Sequence, residues 1–175
     1  MKQLFFNFIN DYKKEFGGCL LEGKRKSQRP LSTKHPIHLV LRSDHKGLFS
    51  PTNLSLHELI RKQAKKFGIK IYDLALNWNH IHCVIKISSR DDYKRFIRSL
   101  TSILTAKIKA ARKDIEAVFT LRPFTRIISW GRDFKNVLSY QILNQLEAMG
   151  FILRKKTEKN KTRRKSPPIK SRSLV

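Results

Sequence analysis

Between Ile69 and Ile87 two runs of strand-forming residues, IKIYDLALNW and HIHCVIKI, are separated only by a polar break around Asn77 to Asn79. A break that short joins adjacent antiparallel strands as a hairpin, and the flanking segments are read around this pair. Upstream, Ile37 to Arg42 (IHLVLR) is an apolar run ending in a charge, as a strand does, and Ser43 to Pro51 carries the Gly and Pro of a loop. Asn53 or Ser55 can cap a helix whose Leu56, Leu59, Ile60, Ala64 and Phe67 follow helical spacing up to Gly68. Downstream, Asp91 or Asp92 is the expected cap of a long helix with Phe96, Ile97, Leu100, Ile103, Leu104 and Ile108 in one stripe. Pro123 closes the next loop and Phe124 to Trp130 reads as another strand. Asp133 then opens a helix with Val137, Leu138, Ile142, Leu146 and Met149 inward and Gly150 at its end. The order β, α, β, β, α, β plus a helix is that of an α+β, ferredoxin-like (RRM-like) antiparallel sheet with an added C-terminal helix. Such a fold does not by itself name a function.

The segments outside this pattern are basic. Residues 4–14 are expected to form a short helix with Leu4, Phe5, Phe8, Ile9 and Tyr12 on one side, ended by Gly17 and Gly18. Gly23 to Pro36 is rich in Lys, Arg, Ser and Pro and reads as an exposed basic arm. After Leu153 the chain becomes RKKTEKNKTRRKSPPIKSRSLV, too poor in apolar residues to fold alone. The expected organisation is therefore an N-terminal helix and arm over residues 1–36, one folded domain over 37–153, and a disordered basic tail over 154–175. Across the chain 38 Lys and Arg face 13 Asp and Glu, a formal charge of +25 whose self-repulsion calls for an anionic partner. Because the charge is spread and no apolar run is long enough to cross a bilayer, that partner is expected to be nucleic acid and not a membrane. Candidate phosphate contacts are Lys24, Arg25, Lys26, Arg29, Lys34 and Arg42 near the arm, and Arg154, Lys155, Lys156, Arg163, Arg164 and Lys165 in the tail. Cys19 and Cys83 fit neither a zinc spacing nor a disulfide framework, and the first residues lack the pattern of a secretory signal, so a reducing cytoplasm is the expected setting.

Two constellations carry possible chemistry. His80 and His82 flank Ile81 on the second hairpin strand, and side chains two apart on a strand project to one face. Paired neutral imidazoles suit one divalent cation, Mn²⁺ or, with oxygen ligands, Mg²⁺; the plainer reading is two histidines on a half-buried strand. Tyr140 and Asn144 are four apart on the last helix, which puts a phenol and a carboxamide on one face. A phenol can attack phosphorus, or it can simply pack against Leu146 or Trp130 with its hydroxyl in water. His38 can share the sheet surface of the histidine pair, but it, His35, His45 and His57 are expected to be structural or exposed. Trp78 and Trp130, at strand ends, are read as core residues before base-stacking platforms.

Together these residues resemble the HUH single-tyrosine transposases of the IS200-like group, and most closely the REP-associated tyrosine transposases. The resemblance runs over most of the chain: GKRKSQRPLSTKHPIHLVLRS leads into the first strand, NHIHCVIKI is the histidine strand, and YQILNQLEAMGF is similar to the family's Tyr-x-x-x-Asn helix. It implies that His80 and His82 are metal ligands, that Tyr140 is the nucleophile and that Asn144 completes the site. It further implies a nuclease and strand transferase acting on hairpin-forming single-stranded DNA, such as a palindromic repeat, with Mg²⁺ or Mn²⁺, as a monomer or a homodimer. The family often has Asn-Pro where this chain has Asn144 followed by Gln145, a departure that bears on the helix end more than on the chemistry. The competing expectation is a non-catalytic single-stranded nucleic-acid binder on the same fold, such as an inactivated transposase, although no strand carries an RNP-like aromatic run.

Overall fold

The structure is a computed structural model and describes residues 15–21 and 27–153. Five strands, β1 (Glu15–Phe16), β2 (Ile37–Arg42), β3 (Lys70–Asn77), β4 (His80–Lys86) and β5 (Phe124–Ile127), form one sheet in the order β1-β5-β2-β4-β3. Every neighbouring pair is antiparallel. Without the short β1 this is the expected ferredoxin-like arrangement, completed by α1 (Leu54–Lys66), α2 (Arg90–Ala111) and the added α3 (Arg132–Ala148).

The alternation of strand side chains divides the molecule into two layers. Ile37, Leu39 and Leu41 of β2 and Ile81, Cys83 and Ile85 of β4 are buried in the main core with Leu56 and Ile60 of α1 and Phe96, Leu100 and Leu104 of α2. Burial pushes the Cys83 thiol up to about 12, so it is an inert core residue. On the opposite face a smaller cluster joins Val84 and Ile128 to Val137 of α3, with Tyr72, Phe134 and Leu138 at its edge. β3 serves both layers through a bulge between Ile71 and Asp73. The extra residue resets the alternation, so that Ile71, Leu74 and Leu76 all meet the main core while Tyr72 joins the α3 side.

Several boundaries differ from expectation. Asn53 caps α1, accepting the Leu56 N–H, but α2 is capped by Ser89 and not by Asp91 or Asp92. Ser89 is extended and accepts from Asp92 N, and its hydroxyl donates back to the Asp92 carboxylate at 2.6 Å, leaving both aspartates in the first turn, where the helix dipole favours them. The strand expected over Phe124 to Trp130 ends at Ile127. On α3 the buried positions are Val137 and Gln141, whereas Ile142, expected inward, is 55% exposed. A helix turns about 100° per residue, so facing Gln141 to the sheet swings Ile142 away.

The strand β1 was not expected. The predicted helix over 4–14 lies outside the described residues, but just after it Phe16 pairs with Thr125 of β5, and Gly17 turns the chain with φ of +91°. A Cβ on Gly17 would collide with the Pro123 carbonyl, so close backbone approach as well as dihedral strain excludes a side chain. Gly17→Ala is therefore expected to lower stability by about 1–3 kcal/mol, read as a lower urea midpoint; an unchanged midpoint would contradict this packing.

Candidate active site

On the α3 side of the sheet the alternation places His80, His82 and Val84 of β4, flanked by His38 of β2, which lies opposite Val84, and by Ala75 and Asn77 of β3, opposite His82 and His80. His38, expected to be structural or exposed, is buried and reaches diagonally to His82, with its Nε2 3.0 Å from His82 Nδ1 and the rings stacked 5.2 Å apart. The rings of His80 and His82 lie edge to face with centroids 4.6 Å apart. His80 Nδ1 donates to Asn79 Oδ1 at 2.6 Å, which leaves its Nε2 as an acceptor, 3.3 Å from the Asn77 amide nitrogen.

Burial dominates the electrostatics of these rings. It lowers His82 to about 3, with His38 and His80 adding to the effect, and lowers His38 to about 4, helped by Arg126. His80 is shifted down as well, first by desolvation and then by the Arg42 guanidinium. The rings are therefore neutral at physiological pH, the state in which imidazole binds metal. His82 Nε2 is buried without a hydrogen-bond partner, which in a finished site costs about 1–3 kcal/mol. A proton on His82 Nδ1 directed at His38 leaves a lone pair on that orphaned nitrogen, the arrangement in which an outer hydrogen bond orients a metal-binding histidine. Among the described residues no three His, Cys, Asp or Glu side chains gather as a metal cage. The donor set at this face is instead two imidazoles with a carboxamide, and it fits a cation whose remaining ligands are water or phosphate oxygens.

The helix α3 brings the phenol to this surface. Tyr140, 50% exposed, lines one pocket with Asn77, Asn79, His80 and Asn144, and a second with His38, Arg126, Asn136 and Val137. It therefore stands between the two ends of the histidine cluster, and Asn144, one helical turn on, lines the same pocket as His80.

The basic candidates separate into groups. Arg42 is exposed at the end of β2 opposite His80, next to the site, and Lys34 is exposed while its carbonyl accepts the Trp130 N–H at 3.1 Å. Arg29, expected on an exposed arm, is packed: it donates to Thr125 Oγ1 at 2.7 Å and lies 4.6 Å over the Phe16 ring, and desolvation lowers its pKa. Lys24, Arg25, Lys26, Arg154, Lys155, Lys156, Arg163, Arg164 and Lys165 lie outside the described residues. Sequence reasoning missed two residues here. Arg126 faces the site from β5, opposite His38, and pairs with Asp133 at 2.9 Å; alternation along β5 could have placed it there had the strand register been known. Gln141 is fully buried with both amide atoms unpartnered, and nothing in the apolar stripe marked it.

A group whose folded pKa is depressed loses stabilisation as pH falls from its unfolded value, about 6.5 for histidine, toward the folded one. In metal-free protein the ring ¹⁵N shifts of His38 and His82 should therefore remain those of neutral imidazole at pH 5. Imidazolium shifts at that pH would contradict the burial described.

A family model described as "Transposase IS200 like" matches residues 32–144. Among curated proteins no sequence matches the chain. Among solved structures, a REP-associated tyrosine transposase bound to a REP hairpin is similar in fold, with a TM-score of 0.55 at 15% identity over 73% of this chain and 76% of that one. A Deinococcus radiodurans R1 protein assigned as a transposase aligns at a TM-score of 0.44 and 14% identity, over 69% of this chain and 98% of its own.

Proposed function

The chain belongs to the IS200-like transposase family, and we propose that it is a metal-dependent nuclease and strand transferase that cuts single-stranded DNA through a covalent 5′-phosphotyrosine at Tyr140. The observation that carries this reading is the pocket shared by Tyr140, Asn144 and His80, with the His80 ring edge to face with that of His82.

In the proposed reaction the Tyr140 phenolic oxygen bonds to phosphorus as the bond from phosphorus to the 3′ oxygen breaks. The phenol proton passes to solvent and the departing 3′ oxygen takes one up, so one phosphodiester is exchanged for another and no ATP is needed. His80 and His82, with Asn144, would hold a Mg²⁺ or Mn²⁺ ion, which when bound polarises the non-bridging oxygens. His38 keeps the His82 ring oriented and Asn79 does the same for His80. Arg126, on the other side of Tyr140 and held by Asp133, would offer its remaining guanidinium N–H donors to the phosphate. The substrate we propose is a hairpin with a single-stranded flank. Family membership and the +25 charge support this, and a REP hairpin is the ligand of the similar transposase.

Two experiments test this reading. Incubation with a labelled DNA hairpin and Mn²⁺ should leave a protein–DNA adduct that survives denaturing electrophoresis, and Tyr140→Phe should abolish it while changing hairpin affinity less than about twofold; an undiminished adduct in that variant would reject the nucleophile. Separately, Mn²⁺ at a hundred times its dissociation constant should stabilise the protein by about 2.7 kcal/mol, seen as a rise in Tm. The rise should disappear in His80→Ala with His82→Ala, and an equal rise in that double variant would reject the metal site.

A further inference from the structure

Trp78 forms the tip of the β3–β4 hairpin with Asn79, and 51% of it is exposed. Leaving that much indole in water forgoes the stabilisation that burial would give. The ring is nevertheless held in place, because its N–H donates to the Ala148 carbonyl in the last turn of α3 at 3.0 Å. This bond satisfies a carbonyl the helix end would otherwise leave open and ties the turn before His80 to the helix that carries Tyr140. The anchored indole lines the same pocket as His80, Tyr140 and Asn144, a space of about 410 Å³ that falls within the range of small-molecule sites.

The lining of the pocket decides what would enter it. Beside the residues proposed to hold the cation it presents the Trp78 indole and no lysine or arginine to pair with a second phosphate, which suits a neutral ring. The groove on the other side of Tyr140 is lined by Arg126, which pairs with Asp133. A strand whose scissile phosphate lies at Tyr140, between the proposed cation and Arg126, can place an adjoining base against an exposed, anchored aromatic. Trp130 is no competitor for this role: it is packed at an angle on Phe134 and edge-on to Tyr72, and it does not line the pocket.

We propose that Trp78 is a positioning residue, the stacking platform for an unpaired nucleobase beside the cleaved phosphodiester. It sets which nucleotide stands next to Tyr140 and favours single-stranded DNA there, because the faces of a base within a duplex are covered by its stacked neighbours. The location beside the cut rests on the nuclease reading; the binding of an unpaired base does not.

The test uses the full chain with Trp130→Phe, which leaves Trp78 as the only tryptophan, and with Tyr140→Phe to block cutting. Titration in Mg²⁺ with a DNA hairpin bearing a short single-stranded extension should quench Trp78 fluorescence, and the blunt hairpin should not. Replacing the extension's bases one at a time by an abasic residue should abolish quenching at one position. In the chain with Tyr140 intact, Trp78→Ala should raise the DNA concentration needed for half-maximal adduct by roughly ten- to a hundredfold, the effect of losing one base–aromatic stack. Trp78→Phe, which keeps an aromatic face but loses the N–H bond to Ala148, should recover most of the affinity. Binding seen by anisotropy without quenching, or quenching equal for blunt and extended hairpins, would overturn the proposal, and it needs no alanine variant to be seen. An adduct formed without Trp78 quenching would sink this inference alone. Quenching without an adduct would uphold it while rejecting the chemistry.

Discussion

The antiparallel register between β2 and β4 decides everything built above it. With Leu39 opposite Cys83 and Val40 opposite His82, one set of side chains enters the core beneath α1 and α2 and the other faces α3. A slip of one residue would push His80 and His82 into that core and turn Ile81, Cys83 and Ile85 outward. The apolar residues that hold the fold together thus fix the orientation of the imidazoles, and the site is rigid because its strand is buried on both faces. Burial then keeps the rings neutral, so the same packing that orients them also sets their protonation state.

The α3 layer is built differently. Its apolar cluster is small, and polar contacts do much of the seating: Arg126 pairs with Asp133, whose carboxylate also accepts the Ser129 N–H, and Trp78 donates to Ala148 at the far end. Between these anchors lie the buried but unpartnered atoms of His82, Asn77 and Gln141. Native interiors leave few such groups, and their concentration between the sheet and the tyrosine helix is the pattern of a site that gives up stability for ligand contacts. The division of labour follows from the two layers, with one carrying the fold and the other the proposed chemistry.

Much of this was legible in the sequence, for definite reasons. The hairpin was readable because LALN and HIHCVIKI are separated by two residues, and α1 and α2 because their apolar stripes are long and regular. The proximity of His80 to His82 needed only strand alternation, and that of Tyr140 to Asn144 only helical spacing; bringing the two pairs together required the family resemblance. What escaped depended on tertiary contacts. β1 is two residues long, too short for any pattern, and is fixed by the approach of Gly17 to Pro123. Arg29 looked like part of a solvated arm because nothing local announces Thr125 and Phe16 as its partners. The facing of α3 was misjudged at Ile142 because Gln141, a polar residue, takes the inward position. The bulge at Tyr72 is invisible in the alternation that it resets.

The central claim is that two imidazoles on β4 and the phenol of α3 act on a single phosphate. The measurement that reaches it most directly is tandem mass spectrometry of the peptide that carries DNA after reaction with a hairpin substrate and Mn²⁺. The chain holds four tyrosines, Tyr12, Tyr72, Tyr93 and Tyr140, so the position is informative. A nucleotide joined through phosphate to Tyr140 alone, and only when His80 and His82 are intact, is the expected result. Attachment at another tyrosine, or at Tyr140 with both histidines removed, would contradict it.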